Sequence, residues 1–163
     1  MKKTERIIVI ILLTVIGTCM HFVCHLPGFT HWMGNIFPVN ECVWEHMKMV
    51  FYPLLLLAIY LSIRQRDVRA FGGPILVAIP AMLAQIGLFF CYWPFFHHSV
   101  LILDIIIYTT VMVLALIWGE RMSRVAWVRK TWWLWVLVAV ALICALGYLT
   151  WNAPDWFIFT YTE

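Results

Sequence analysis

Charge is scarce in this sequence. Asp, Glu, Lys and Arg make up 12% of its 163 residues, whereas about a quarter of an average soluble domain is charged. Hydrophobic residues make up 64%, and the mean hydropathy is +0.92. This composition excludes an ordinary soluble domain. It predicts one transmembrane helical domain over residues 1–163, with the lipid bilayer as its main partner.

Common enzyme and metal-module motifs are also lacking. The five cysteines contain no Cys-x-x-Cys pair, which excludes a thioredoxin-like dithiol and a zinc-ribbon site. No His-Glu-x-x-His motif is present. The net charge of +3 is small and its basic residues lie in short clusters, so no nucleic-acid partner is expected. There is no internal repeat and no low-complexity linker.

Long hydrophobic runs are plentiful. Crossing about 30 Å of hydrocarbon takes about 20 helical residues, and five runs are long enough. They lie near residues 7–25, 41–63, 72–96, 99–118 and 132–151. The first run is longer than a signal-peptide core, and no small-x-small cleavage site precedes Pro27. The predicted fold class is therefore all-α, a polytopic membrane protein with a bundle of five transmembrane helices.

The distribution of Lys and Arg predicts the orientation of these helices. Basic residues lie before the first run, between the second and third, and between the fourth and fifth. The connections 26–40 and 94–98 and the tail 152–163 contain neither Lys nor Arg. Because positive residues concentrate on the inner side, the N-terminus is predicted inside and the C-terminus outside.

Ionisable residues gather at the outer ends of three predicted helices. Each such group costs roughly 2.5–3.5 kcal/mol at the bilayer centre on insertion scales, so the deeper ones need partners. Three helices that contribute polar groups at one depth predict a single pocket open to the outer face. The residues are His21 in helix one, Glu41, Glu45, His46 and Lys48 in helix two, and His97 and Asp104 around helix four.

Helical spacing places the helix-two residues on defined faces. A helix advances 100° per residue, so Glu41, Glu45 and Lys48 form one stripe, whereas His46 faces the flank of a neighbouring helix. Asn40 is predicted to be the N-cap of this helix, since Pro38 blocks a helix upstream.

Imidazole nitrogens and carboxylate oxygens are the donors that a divalent transition metal such as zinc accepts. The sequence therefore predicts a metal site at this level. The expected ligands are His21, Glu45 or Glu41, His46 and Asp104, with His97 as a competing ligand.

The same pocket predicts a chemistry. A metal lowers the pKa of bound water towards neutrality, and that water can attack an ester, amide or phosphate. The glutamate that is not a ligand, Glu41 or Glu45, would act as general base. Lys48 would orient a carboxylate or stabilise developing negative charge. We therefore expect a metal-dependent hydrolase of a lipid or another amphipathic substrate that reaches the outer leaflet.

Other interpretations start from the same residues. Glu45, His46 and Asp104 could form a proton or cation relay in a transporter or channel subunit, which with five helices predicts a homo-oligomer. No ionisable residue lies in the inner halves of the predicted helices, and this counts against transport. His21 with His46 or His97 could ligate haem. The cluster could also serve helix packing alone, with Glu45 and Lys48 as an ion pair.

The run Pro38-Val39-Asn40-Glu41-x-x-Trp44-Glu45-His46-x-Lys48 resembles the hallmark of an uncharacterised family of small bacterial integral membrane proteins, Pro-Val-Asn-Glu-Ser-Val-Trp-Glu-His-x-Lys. The similarity extends to His21-Phe22, Gly34 and Asp104-Ile105. Cys42 stands in place of the family's serine, and Cys24-His25 in place of an aromatic residue and an acid. The resemblance implies a multi-pass protein of a bacterial plasma (inner) membrane. It implies important residues but no reaction.

A looser likeness, in residue types only, is to seven-helix membrane hydrolases of the ceramidase and adiponectin-receptor type. Those proteins hold zinc with histidines and an aspartate from several helices. This likeness favours an enzyme only by analogy.

Overall fold

The computed structural model describes residues 1–160, which are helices, turns and irregular connections without a strand. The prediction of an all-α protein is confirmed. Within residues 1–160, seven α-helices follow one another: α1 (Lys3–Met20), α2 (Val43–Gln65), α3 (Gly72–Phe96), α4 (Leu101–Met122), α5 (Ala126–Lys130), α6 (Trp132–Trp151) and α7 (Phe157–Thr160).

Four helices of the described residues are long and apolar enough to cross a membrane. They are α2, α3 together with the 3-10 turn before it (Val68–Phe96), α4 and α6. Helix α1 has 18 residues, but Lys3, Glu5 and Arg6 lie among them. The structure thus supports a membrane protein with at least four spanning helices.

The helix bounds agree with the predicted runs to different degrees. Helices α3 and α6 occupy the predicted ranges 72–96 and 132–151. Helix α1 ends at Met20, five residues before the predicted end, because the chain continues into a 3-10 turn at Val23–His25. Helix α4 begins later than predicted and continues to Met122.

Helix α2 is the central helix of the bundle. It packs against α1, α3 and α4, and more than half of its apolar window is buried inside the protein. Val50, Phe51, Leu54 and Ala58 are fully buried on it. In the other three long apolar helices, α3, α4 and α6, less than a third of the apolar window is buried inside the protein.

A close helix contact fixes the end of α1 beside the start of α2. A Cβ added at Gly17 would lie 2.0 Å from the hydroxyl of Tyr108 and 2.7 Å from the carbonyl oxygen of Met49. The Tyr108 hydroxyl donates to the carbonyl of Thr14 at 3.1 Å. Small residues allow such close approach of helices in membranes, and here it positions the residues that follow α1.

At the opposite end of the bundle, Glu120 of α4 is buried, with 2% of its surface exposed. Its carboxylate accepts from Arg6 Nε at 2.5 Å, Arg124 Nη2 at 2.7 Å and the amino group of Met1 at 3.0 Å. Glu120 lies beyond the predicted end of helix four at residue 118, so it does not test the prediction that the inner halves of the predicted helices lack ionisable residues. Helix α4 continues past it to Met122.

A close approach between α3 and the C-terminal end of α4 involves Gly73. A Cβ at this position would lie 2.1 Å from the backbone nitrogen of Ser123 and 2.6 Å from the carbonyl oxygen of Gly119. Because these are backbone atoms, no side-chain rotation relieves the clash. The two helices must therefore separate to accommodate any larger residue.

We predict that Gly73→Ala lowers the free energy of unfolding by about 1–3 kcal/mol, as overpacking of a close contact does. Gly87→Ala in the same helix is the matched control, since nothing lies within 4 Å of its added Cβ and alanine favours a helix. Thermal unfolding in detergent measures both. Equal melting temperatures for the two variants would contradict this account of the α3–α4 contact.

Candidate functional site

Three side chains of metal-ligand type converge between the end of α1 and the start of α2. His21 Nε2 lies 3.4 Å from Glu41 Oε2, and His46 Nε2 lies 3.8 Å from the same oxygen. One ligand atom from each residue lies within 4.8 Å of the other two. We call His21, Glu41 and His46 the triad. It is the only such group of three among the residues that the structure describes.

The ring of His46 is oriented by the backbone. Its Nδ1 lies 2.9 Å from the carbonyl oxygen of Cys42. Because a carbonyl oxygen only accepts, this nitrogen carries the hydrogen, and in the neutral ring Nε2 offers a lone pair towards Glu41. Metal-binding histidines commonly donate their second ring nitrogen to a carbonyl or carboxylate in this way.

The prediction that Asn40 is the N-cap of helix two is wrong. Helix α2 begins at Val43 with Cys42 as its N-cap, whereas Asn40 Oδ1 accepts from the Cys42 backbone N–H at 3.0 Å within the preceding turn. Glu41 therefore lies before the helix, outside the Glu45–Lys48 stripe. This placement lets its carboxylate face His21 and His46.

Glu45 makes a different set of contacts from Glu41. It is 1% exposed, and its Oε2 lies 2.6 Å from Lys48 Nζ. The backbone N–H of Val39 donates to Oε2 at 3.0 Å, and the hydroxyl of Thr150 in α6 donates to Oε1 at 2.8 Å. The carboxylate thus joins α2, α6 and the connection before α2.

Lys48 is fully buried and binds the same connection. Its ammonium donates to the carbonyls of Gly34 at 2.6 Å and Phe37 at 3.4 Å, besides the Glu45 carboxylate. Three acceptors satisfy its three N–H donors. The Glu45–Lys48 pair therefore fixes the connection that carries Glu41.

A cavity of about 320 Å³ adjoins the triad, and all three triad residues line it. Its walls come from α1, α2, α3, α4 and the adjacent connections, and they are largely apolar. The apolar lining includes Phe22, Met49, Phe89, Leu101 and Ile105. Glu45, Lys48 and His97 are not among the lining residues.

Asp104 lines this cavity from α4 but is not in the triad. Its Oδ1 accepts from the Tyr92 hydroxyl and its Oδ2 from the Ser99 hydroxyl at 2.9 Å. Gln85 of α3 also lines the cavity, and its buried Oε1 has no hydrogen-bond partner among the described residues. The cavity thus combines the triad with a carboxylate and an unsatisfied acceptor.

The structure places His97 apart from the triad. His97 ends α3 in a left-handed conformation, with φ of 55°, and its ring lies against Trp93 at 5.6 Å between centroids. His97 and Asp104 would share a face only in a helix that begins by His97. Helix α4 begins only at Leu101, so the two residues do not share a helix.

The cysteines near the triad are thiols. Burial raises the pKa of both Cys24 and Cys42, and for Cys24 the nearby Glu41 carboxylate raises it further. Neither residue forms a disulfide. The triad itself offers two imidazole nitrogens and one carboxylate oxygen as donors.

The model of the family described as "Family of unknown function (DUF6512)" matches residues 1–162. The chain belongs to this family. The expectation of an uncharacterised family is confirmed, and DUF6512 covers nearly the whole chain. No curated protein matches the sequence, and no solved structure matches it.

We predict that Lys48→Met lowers the free energy of unfolding by about 3–5 kcal/mol, because it leaves the buried Glu45 carboxylate without its cation. Denaturation in detergent measures this change. The exposed Lys130 supplies a matched control, Lys130→Met, which should unfold like the wild type. The double variant Glu45→Gln/Lys48→Met should recover part of the loss. Equal stability of Lys48→Met and Lys130→Met would show that the pair does not hold the connection.

Proposed function

We propose that five helices cross the membrane, with the N-terminus inside and the C-terminus outside. Helix α1 is the fifth span. It packs along α2 and α4, and its charged first turn lies at the end where Arg6 meets Glu120. The distribution of Lys and Arg supports the orientation, and the resemblance to small bacterial membrane proteins supports a bacterial plasma membrane. The triad then lies at the outer end.

We infer that the triad binds a divalent metal such as zinc. The observation that carries this inference is the convergence of three ligand atoms within 4.8 Å of one another. Small side-chain rotations would bring these atoms to the zinc–ligand distances of about 2.0–2.2 Å. Three protein ligands leave one tetrahedral position for water or substrate, which is typical of catalytic rather than structural zinc.

The substrate that suits this site is amphipathic. The cavity has an apolar lining, and three of its residues, Phe22, Leu101 and Ile105, are more than half exposed. In a bilayer, exposed apolar side chains can contact lipid chains. An apolar chain can therefore enter the cavity from the bilayer while its polar linkage reaches the triad at the membrane boundary.

We propose hydrolysis of an ester-type linkage in such a substrate. A bound metal would supply a water of lowered pKa. Asp104 is the cavity carboxylate outside the triad, and we assign it the proton transfer: it takes a proton from the water and gives it to the leaving oxygen. The remaining hydroxide oxygen bonds to the carbonyl carbon or phosphorus as the bond from that atom to the leaving oxygen breaks. Glu45, the base expected if Glu41 is a ligand, is engaged by Lys48.

We predict that the purified metal-loaded protein in liposomes hydrolyses a fluorogenic ester with one long acyl chain, and that a chelator stops the reaction. Asp104→Asn should lower the turnover about 10²–10⁴-fold, the usual contribution of a general acid or base. Its metal content, measured by inductively coupled plasma analysis, should stay at the wild-type value.

His98→Ala is the matched control, since His98 lies at the same end of the bundle but does not line the cavity. It should retain both metal and turnover. Turnover that survives chelation, or an Asp104→Asn variant as active as the wild type, would refute the assigned reaction. Loss of activity together with loss of metal in Asp104→Asn would make Asp104 a ligand instead of a proton carrier.

A further inference from the structure

A second cavity, of about 520 Å³, lies at the end of the bundle opposite the triad. It forms where α4 ends, where α3 and α6 begin, and around the short helix α5. Four cations and one indole ring line it, and we call it the basic pocket. Its charged and aromatic lining residues are Arg69, Arg124, Arg129, Lys130 and Trp132.

The carboxylates near the basic pocket do not balance its cations. Arg129 is held by Asp67, and it also donates to the Ser123 carbonyl at 3.2 Å. Arg124 donates to Glu120 at 2.7 Å, a carboxylate that Arg6 already shares.

The guanidinium of Arg69 and the ammonium of Lys130 form no ion pair within the part of the chain that the structure describes, although the backbone N–H of Arg69 donates to Asp67 Oδ1 at 2.9 Å. The basic pocket therefore has a net positive charge that an anion can neutralise. Arg129 is already held in place by its contacts and can bind this anion.

The start of α6 adds to this positive field. Trp132 is the first residue of α6, and no side chain caps that end. The Thr131 hydroxyl donates to the carbonyl of Trp127 at 2.9 Å and accepts from Trp135 Nε1 at 3.1 Å. The Thr131 hydroxyl therefore makes these two hydrogen bonds and none to the first N–H groups of α6. The positive end of a helix dipole favours a bound anion.

The surroundings of the pocket match the headgroup level of a bilayer. Trp127 is about half exposed beside it, and tryptophan is enriched at this level. Basic pockets between transmembrane helices bind phosphate-containing headgroups. The guanidinium of arginine can donate two parallel hydrogen bonds to the oxygens of one phosphate group.

We propose that the basic pocket binds a phosphate group, carried either by the headgroup of an anionic lipid or by a small soluble phosphate. Residues that only set membrane topology need no common cavity. Here, cations from two separate connections, one between α2 and α3 and one between α4 and α6, line one cavity. The site is separate from the triad and does not depend on the chemistry proposed there.

The test is native mass spectrometry of the full chain in detergent, titrated with phosphatidylglycerol, with phosphatidylcholine, and with inorganic phosphate as competitor. Arg69→Gln/Lys130→Gln should weaken phosphatidylglycerol binding about 25-fold, from about fivefold for each surface cation. The matched control is Arg66→Gln, which removes an exposed arginine at the same end that does not line the pocket. Lys130→Arg should retain binding, and every variant compared must melt at the wild-type temperature.

Competition with inorganic phosphate distinguishes a lipid headgroup from a soluble phosphate. Phosphatidylglycerol binding that resists millimolar inorganic phosphate and fails in the double variant identifies a lipid headgroup. Displacement by inorganic phosphate identifies a soluble phosphate bound by the same residues. Equal binding of phosphatidylglycerol and phosphatidylcholine without any effect of phosphate would overturn the proposal. Equal weakening by Arg66→Gln and the double variant would overturn it as well.

Discussion

The arrangement of the outer end depends on the buried ion pair between Glu45 and Lys48. Burying two charges in a membrane protein is costly, so such a pair adds little net stability compared with apolar packing. Its value lies in what else it binds. Lys48 fixes the carbonyls of Gly34 and Phe37, whereas Glu45 fixes Val39. An apolar replacement could not satisfy these backbone groups.

Glu41 reaches the triad because this pair holds the connection in front of α2. The Asn40 side chain accepts from the Cys42 backbone N–H and so forms a turn before α2. Glu41 therefore lies outside the helix, and its carboxylate faces the two histidines. His21 reaches the same point because α1 packs tightly on α2 through Gly17. Glu45 and Lys48 thus bind the backbone of the connection, whereas the triad residues remain available for a ligand.

The sequence alone predicted the helices α3 and α6, since their hydrophobic runs end at clear boundaries. It also placed His21, Glu41, His46 and Asp104 at one end of the bundle, and all four line one cavity. It did not separate Glu41 from Glu45, because periodicity assumes a helix that begins at residue 41. The true start depends on long-range contacts such as Thr150 with Glu45, for which a single sequence carries no signal.

The most direct test of the metal site is X-ray absorption spectroscopy at the zinc edge of the zinc-loaded protein. The account predicts nitrogen and oxygen ligands at about 2.0–2.2 Å, with the outer-shell scattering of two imidazoles that falls to one in His46→Ala. A sulfur shell at about 2.3 Å, or a spectrum that His46→Ala leaves unchanged, would contradict it.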